Sequence, residues 1–280
     1  MIVASLFFAG VAALVKLGAS RFSTAELVFY RSFIAFLVIA AWVIVSRRPL
    51  ATHQWKAHLT RSLAGFTSMI SYFYAIRHIS LGTAVTLNYT SSLFMAALVV
   101  LWWREKVRPA FHLTLLVGFA GIFMLLQPSI GRDQWFAAAI GTLSGVLTAI
   151  VFLNVRALGR LGEPEWRMVF YFSLFSSLGG LAWIISGGHW SPIDFEGSLI
   201  LLGIGGCGVI AQLFMALAYM RGKTLVTANL GYLTVVFSAL SGWLFWDERM
   251  DPLAWTGMIL VIGSGIASTL LSRSGQGRQS

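Results

Sequence analysis

Thr86, Asn88, Tyr89, Thr90, Ser91 and Ser92 crowd one otherwise apolar run, and Thr227, Asn229, Tyr232 and Thr234 crowd a second, later one. Amides and phenols give and accept hydrogen bonds, and tyrosine adds a ring face. That is chemistry for recognising a polar organic solute, not for breaking bonds. Polar groups at lipid depth are costly and mark function by default. For Asn88, Tyr89, Asn229 and Tyr232 two readings stay open, cavity lining and helix bracing. The serines and threonines return hydrogen bonds to their own helix and read as packing. Tyr72 and Gln212 flank two small-residue stripes at helical spacing, Gly65, Ser68, Ser71, Ala75 and Gly208, Ala211, Phe214, Ala218. Close helix contact explains the stripes, and the flanking polar side chains become cavity candidates.

Two cations complete the set. Arg31 lies about two helical turns inside an apolar run, deep enough to need a partner: a solute carboxylate, Glu26, or helix-end carbonyls. Lys16 either snorkels to the interface or faces the cavity. Glu105 and Glu248 sit at run ends beside Lys106 and Arg249, where a structural role at the helix ends is expected. No Asp or Glu falls in the middle of a run, so the carboxylate usual for proton coupling is absent. The histidines fall in or near loops without HExxH spacing. Cys207 is alone, which excludes an intrachain disulfide and a CxxC site. Gly203, Gly205, Gly206 and Gly208 form a packing run inside an apolar segment, not a dinucleotide loop. The residues therefore predict no metal, no cofactor and no catalytic group, and a protein that is not an enzyme.

The elements that carry these residues follow from composition. The chain has 280 residues, 58% hydrophobic and 11% charged, with a mean hydropathy of +0.80. A soluble globule carries roughly 25% charged residues, so a soluble enzyme and a disordered chain are both excluded. A hydrocarbon core of ~30 Å needs ~20 residues as helix. Ten runs qualify, at about 1–18, 24–46, 62–79, 82–103, 110–127, 134–156, 165–187, 197–220, 224–246 and 253–272. Pro49, Pro109, Pro128, Pro164, Pro192 and Pro252 all fall in the expected loops. Continuous runs exclude the alternation of a β-barrel, and the loops are too short for a soluble module.

The net charge of +10 marks topology and headgroup contact, not nucleic acid. Fourteen bases follow the even-numbered runs: Arg47, Arg48, Lys56, Arg61, Arg104, Lys106, Arg108, Arg156, Arg160, Arg167, Arg221, Lys223, Arg273 and Arg278. The remaining six are Lys16, Arg21, Arg31, Arg77, Arg132 and Arg249. Bases concentrate on the cytoplasmic side, so both termini are expected there. Met1 to Leu17 lacks the basic start of a cleavable signal peptide.

The chain also matches itself. Val28, Phe29, Tyr30 and Ser32 recur as Val169, Phe170, Tyr171 and Ser173 at a shift of 141, with Arg31 falling on Phe172. A shift of 143 pairs Gly65 with Gly208, Leu87 with Leu230, Tyr89 with Tyr232, Trp103 with Trp246 and Glu105 with Glu248. Each half then holds five runs, and five is odd, so the second half enters the membrane inverted. Such repeats place a solute site near the midplane and switch access by rocking. The expectation is an all-α integral membrane fold of ten transmembrane helices in two inverted five-helix repeats, residues 1–130 and 131–280.

With Lys16 in the first run, Phe29-Tyr30-Arg31 in the second, and Glu105 and Glu248 closing the fourth and ninth, the chain resembles the drug/metabolite transporter superfamily. EamA-type permeases with two EamA domains are the match. Thr83 to Ser91 looks most like the branch of S-adenosylmethionine and riboflavin carriers. The prolines usual in spans 4 and 9 are missing, with Ser92 and Val235 near their places. The resemblance implies a multi-pass permease of the bacterial inner membrane. It would move a small organic metabolite, such as an amino acid or a nucleoside-like or cofactor-like solute, by alternating access. Its partners would be that solute and the lipid bilayer, without nucleic acid, and a monomer is the expected state. A lipid-modifying membrane enzyme and a non-transporting sensor are the alternatives.

Overall fold

A long apolar stretch without proline satisfies its backbone in lipid in one way, by closing every N–H onto its own helix. The computed structural model bears that out. It describes residues 1–79, 81–101, 109–128, 130–131, 133–187, 190–246 and 250–274. Side chains are described for the same residues except 76, 77, 81, 82, 246, 273 and 274. Glu105, Lys106, Glu248 and Arg249 lie outside the described residues.

Among those described, the regular structure is all helix, with no strand. In order the helices are α1 (Ile2–Gly18), α2 (Thr24–Val45), α3 (Trp55–His78), α4 (Leu81–Tyr89), α5 (Ser91–Leu101) and α6 (Pro109–Leu126). They continue as α7 (Trp135–Arg160), α8 (Glu165–Gly187), α9 (Phe195–Arg221), α10 (Thr224–Gly231), α11 (Leu233–Trp246) and α12 (Pro252–Ser274). Eight segments are long and apolar enough to cross a membrane; two of these, Thr83–Leu101 and Thr224–Phe245, each join a helix pair. α1 is apolar but shorter.

Local chemistry sets the helix ends. Ser23 and Glu26 form a capping box at the start of α2: the Glu26 N–H donates to Ser23 Oγ at 3.3 Å, and the Ser23 N–H donates to Glu26 Oε2 at 2.7 Å. Asp194 caps α9 by accepting the Gly197 N–H at 2.8 Å. Pro109 and Pro252 are not loop residues as expected. They open α6 and α12, where the missing N–H is one the helix leaves unpaired anyway.

Two further expectations are corrected. The third run was expected from residue 62, yet α3 begins at Trp55, so Lys56, His58 and Arg61 are helical rather than loop residues. The fourth and ninth runs were expected to be continuous, yet each breaks, at Thr90 and at Tyr232. At the first break the Thr90 hydroxyl donates back to the Leu87 carbonyl and the Leu93 N–H closes on Thr90 O at 2.9 Å. At the second, the N–H groups of Tyr232 and Val235 close on Asn229 O and Tyr232 O, both at 3.0 Å. Such three-residue closures tighten the coil and interrupt its regular ladder.

The helices associate in pairs: α6 on α12, α3 on α7, α2 on α8 and α1 on α9. α1 also meets α10 and α11, and α7 meets α4 and α5. Small residues let these backbones close up. A Cβ added at Gly121 would come within 2.6 Å of the Gly257 carbonyl oxygen, and one at Gly257 within 2.5 Å of the Gly121 oxygen. The surface is inside out relative to a soluble protein. Phe136, Ile185, Leu244 and Ile259 are 68–71% exposed, while Ser144, Ser176, Asn229 and Ser268 are completely buried. An apolar exterior of this extent needs lipid around it.

Candidate functional site

Arg61 is the residue that the sequence placed wrongly. Counted as a base on the loop after the second run, it stands inside α3 and is 1% exposed. Its Nη2 donates to Gln212 Oε1 of α9 at 3.2 Å. The ring of Phe172 from α8 lies 4.1 Å from its Cζ, an arrangement in which the ring quadrupole attracts the cation. Its Nε and Nη1 are buried with no hydrogen-bond partner among the described residues. Arg31 of α2 is near enough to repel this charge. The Arg31 Nη1 donates to Met69 Sδ at 3.5 Å, and its side chain lies along Gly208, where a Cβ would meet Cγ and Nε at 3.5 Å. The structure thus places Arg31 and Gln212, both among the candidates, on either side of Arg61, which was not one of them.

Arg31 does not pair with Glu26. That carboxylate accepts the N–H of Ser23 and both the N–H and the hydroxyl of Ser191, which ties the loop before α9 to the head of α2. A signal for Arg61 was present, since Arg61, Gly65, Ser68 and Tyr72 recur at i, i+4, i+7 and i+11 on one helical stripe.

The other candidates divide into an aromatic group and two asparagines. The rings of Tyr89 and Tyr232 lie 6.1 Å apart, and Tyr219 stacks on Phe152 at 4.4 Å. Tyr72 and Tyr219 both lie within electrostatic reach of Tyr89. Tyr232 is completely buried and packs so closely on α6 that a Cβ at Gly118 would come within 2.8 Å of its Cδ2. Asn88 Nδ2 donates to Ser144 Oγ at 3.0 Å and to Thr148 Oγ1 at 3.4 Å, both on α7. Asn229 accepts from Ser264 Oγ at 2.9 Å and donates to Ser264 O at 3.4 Å, on α12. Both amides therefore bind neighbouring helices. Lys16 stands exposed in the last turn of α1, where a cation suits the helix dipole, and is not part of the buried group.

A second polar cluster lies at the start of α3, one turn before Arg61. Glu163, 6% exposed, accepts hydrogen bonds from Thr52 Oγ1 and from Arg167 Nη1 at 2.8 Å, and lies 3.2 Å from His58 Nε2. Burial acts to raise the Glu163 pKa, but the hydrogen bonds from Thr52, Arg167 and His58 outweigh it and hold the carboxyl below its ordinary range. Arg167 Nη2 also donates to Pro49 O at 2.7 Å and Tyr171 Oη to Leu50 O at 2.9 Å, so the loop after α2 is stitched to α8.

Apolar helices turned outward, with amides, phenols and guanidinium groups gathered inside, define a multi-pass membrane protein with a polar interior. Its relatives place it more narrowly: the chain belongs to the EamA-like transporter family, whose model matches residues 1–127. It is 30% identical over 280 residues to the pseudopaline exporter CntI of Pseudomonas aeruginosa (strain UCBPP-PA14), covering 99% of this chain and 95% of that protein. It is 25% identical over 248 residues to the S-adenosylmethionine uptake transporter of Rickettsia conorii (strain ATCC VR-613 / Malish 7), covering 87% and 82% of the two chains. A solved crystal structure superposes with a TM-score of 0.83 at 19% identity, covering 97% of this chain and 96% of that one, a likeness of fold alone.

Proposed function

We propose that this chain is a secondary transporter that moves a small organic metabolite across the bacterial inner membrane by alternating access. Ten spans would form two inverted repeats, residues 1–130 and 131–280, with α1 and α3 added to the eight long apolar segments and with both termini in the cytoplasm. The observation that carries this reading is the pairing of the helices. Exchange of the halves turns α1 on α9 into α7 on α3, and it turns α2 on α8 and α6 on α12 into themselves. The helix breaks at Thr90 and Tyr232 also fall within one position of each other at the offset of 143. Broken helices at matched depth are where repeat-built carriers hold their solute. Setting aside Arg61 and Arg31, which face inward, leaves thirteen of the fourteen bases on one side against five of the six on the other, so the charge bias persists.

In this reading Tyr72, Asn88, Tyr89, Gln212, Asn229, Tyr232 and Arg31 face the solute path, with Lys16 at its margin, and the protein acts as a carrier without a resident cofactor. Rocking of one arrangement into the other would shear α4–α5 along α7 and α10–α11 along α1. Replacement of Asn88 or Tyr232 by alanine is expected to lower transport at least tenfold while membrane expression stays normal. Unchanged uptake and efflux in both variants would remove these residues from the path.

A further inference from the structure

Arg61 carries more charge than its described neighbours answer. Gln212 takes one N–H and Phe172 covers the face of the guanidinium, yet Nε and Nη1 stay buried and unpartnered among the described residues. Ser176, one turn beyond Phe172 on α8, is completely buried and its hydroxyl is likewise without a partner. Arg31 adds a second positive charge close by, bonded to a thioether, which is a weak acceptor. The ten acids of the sequence all lie at the ends of the apolar runs or between them. A buried cation without a partner is strongly unfavourable, and two that repel each other are worse.

The internal repeat shows how the pair is placed. Arg31 corresponds to Phe172, Gly208 to Gly65, Gln212 to Met69 and Arg61 to Ile204. Arg31 lies along Gly208, and its counterpart Phe172 lies against Gly65, where a Cβ would come within 2.8 Å of the ring. These contacts exchange with one another when the halves are exchanged, so the residues surround the axis that relates the halves. The shape obeys the repeat and the charge departs from it, since both cations come from the first half. A symmetric scaffold with a one-sided charge at its axis is a binding site for something of opposite sign.

We propose that Arg31 and Arg61 form a two-cation site on this axis that binds a carboxylate of the carried solute, with Gln212 and Phe172 holding the Arg61 guanidinium in place. That the solute is carried rests on the transporter reading. The site itself does not. A planar fork of N–H donors matches a carboxylate better than a spherical anion, and the amide of Gln212 fixes the plane of the fork.

The test uses the purified full chain in lipid nanodiscs and reads its apparent Tm in acetate, glutamate, succinate and citrate, against chloride, phosphate and the neutral succinamide at matched ionic strength. At least one carboxylate is expected to raise Tm saturably. Its apparent affinity should fall at least tenfold in Arg61→Gln and in Arg31→Gln and return only in part in Arg61→Lys, which keeps the charge but not the planar fork, while succinamide does nothing. Without added anion, Arg61→Gln should melt higher than the wild type, because it removes an unpaired buried charge; a purely bracing arginine would make it melt lower. The proposal is overturned if no carboxylate acts, if chloride or phosphate acts as well, or if the variants respond like the wild type. Should Arg61→Gln not fold, Arg31→Gln carries the same reading alone. Proteoliposome flux separates the two claims. Carboxylate binding through the arginines without flux would keep the site and sink the transporter. Saturable flux of neutral solutes, unchanged in Arg31→Gln, would keep the transporter and sink the site.

Discussion

Glu163 shows how one side chain can hold three segments. Its carboxylate gathers Thr52 from the loop after α2, His58 from α3 and Arg167 from α8, so removing it takes the counter-charge from a half-buried guanidinium. Breaking a buried pair from one side costs about 3–5 kcal/mol. Glu163→Gln is therefore expected to lower the apparent Tm clearly at neutral pH. The pH dependence has a definite sign. Because the folded pKa is depressed, the contribution is complete above the ordinary carboxylate value of about 4.3 and is lost as pH falls through the folded value. The gap between wild type and Glu163→Gln should narrow on acidification below roughly pH 4; a gap that widens there would contradict the assignment. At this scale the sequence singled out Arg31, Asn88 and Tyr232 by their unusual polarity, and all three lie in the interior of the helix bundle. It misled where a charge sat beside a proline-bounded loop. Arg61 read as a surface base because the helix start at Trp55 carries Lys56 and His58, which weaken the apolar signal of the first two turns.

Among the elements, α6 and α12 depend on glycine. Gly121 and Gly257 put one backbone against the other, so Gly121→Leu must push the helices apart. Overpacking of this kind typically costs about 1–3 kcal/mol. Gly263 lies on the same α12, but nothing stands within 4 Å of a Cβ placed there. Gly263→Leu is thus the matched control and is expected to leave Tm unchanged. Equal effects of the two substitutions on thermal unfolding would argue against close α6–α12 packing. The existence and order of the long helices were legible because twenty apolar residues in a row have few alternatives. The breaks at Thr90 and Tyr232 were not, since neither has a proline to mark it. Each comes from local hydrogen bonding and from a neighbour at the bend: a Cβ at Gly145 of α7 would lie 2.7 Å from Leu87 O, and Ser5 of α1 donates to Leu230 O at 3.2 Å. Contacts between distant segments carry no signature in a linear reading.

For the whole molecule, the offsets of 141 and 143 were legible in the sequence, while the helix pairing that supports the proposed repeat exists only in three dimensions. Orientation has its own test, since Cys207 is the sole cysteine of the sequence. In a Cys207→Ala background, a membrane-impermeant maleimide applied to intact cells is expected to label Ile193→Cys and to spare Arg48→Cys; the opposite pattern would invert the topology. Alternating access requires the two halves to exchange access to a shared interior. Trans-stimulated flux in proteoliposomes, across a panel of amino acids, nucleosides, cofactors and carboxylates, tests it most directly. Saturable uptake of at least one solute is expected, accelerated by the same solute inside and lost in Asn88→Ala. Flux no greater than that of protein-free vesicles for every solute would contradict it.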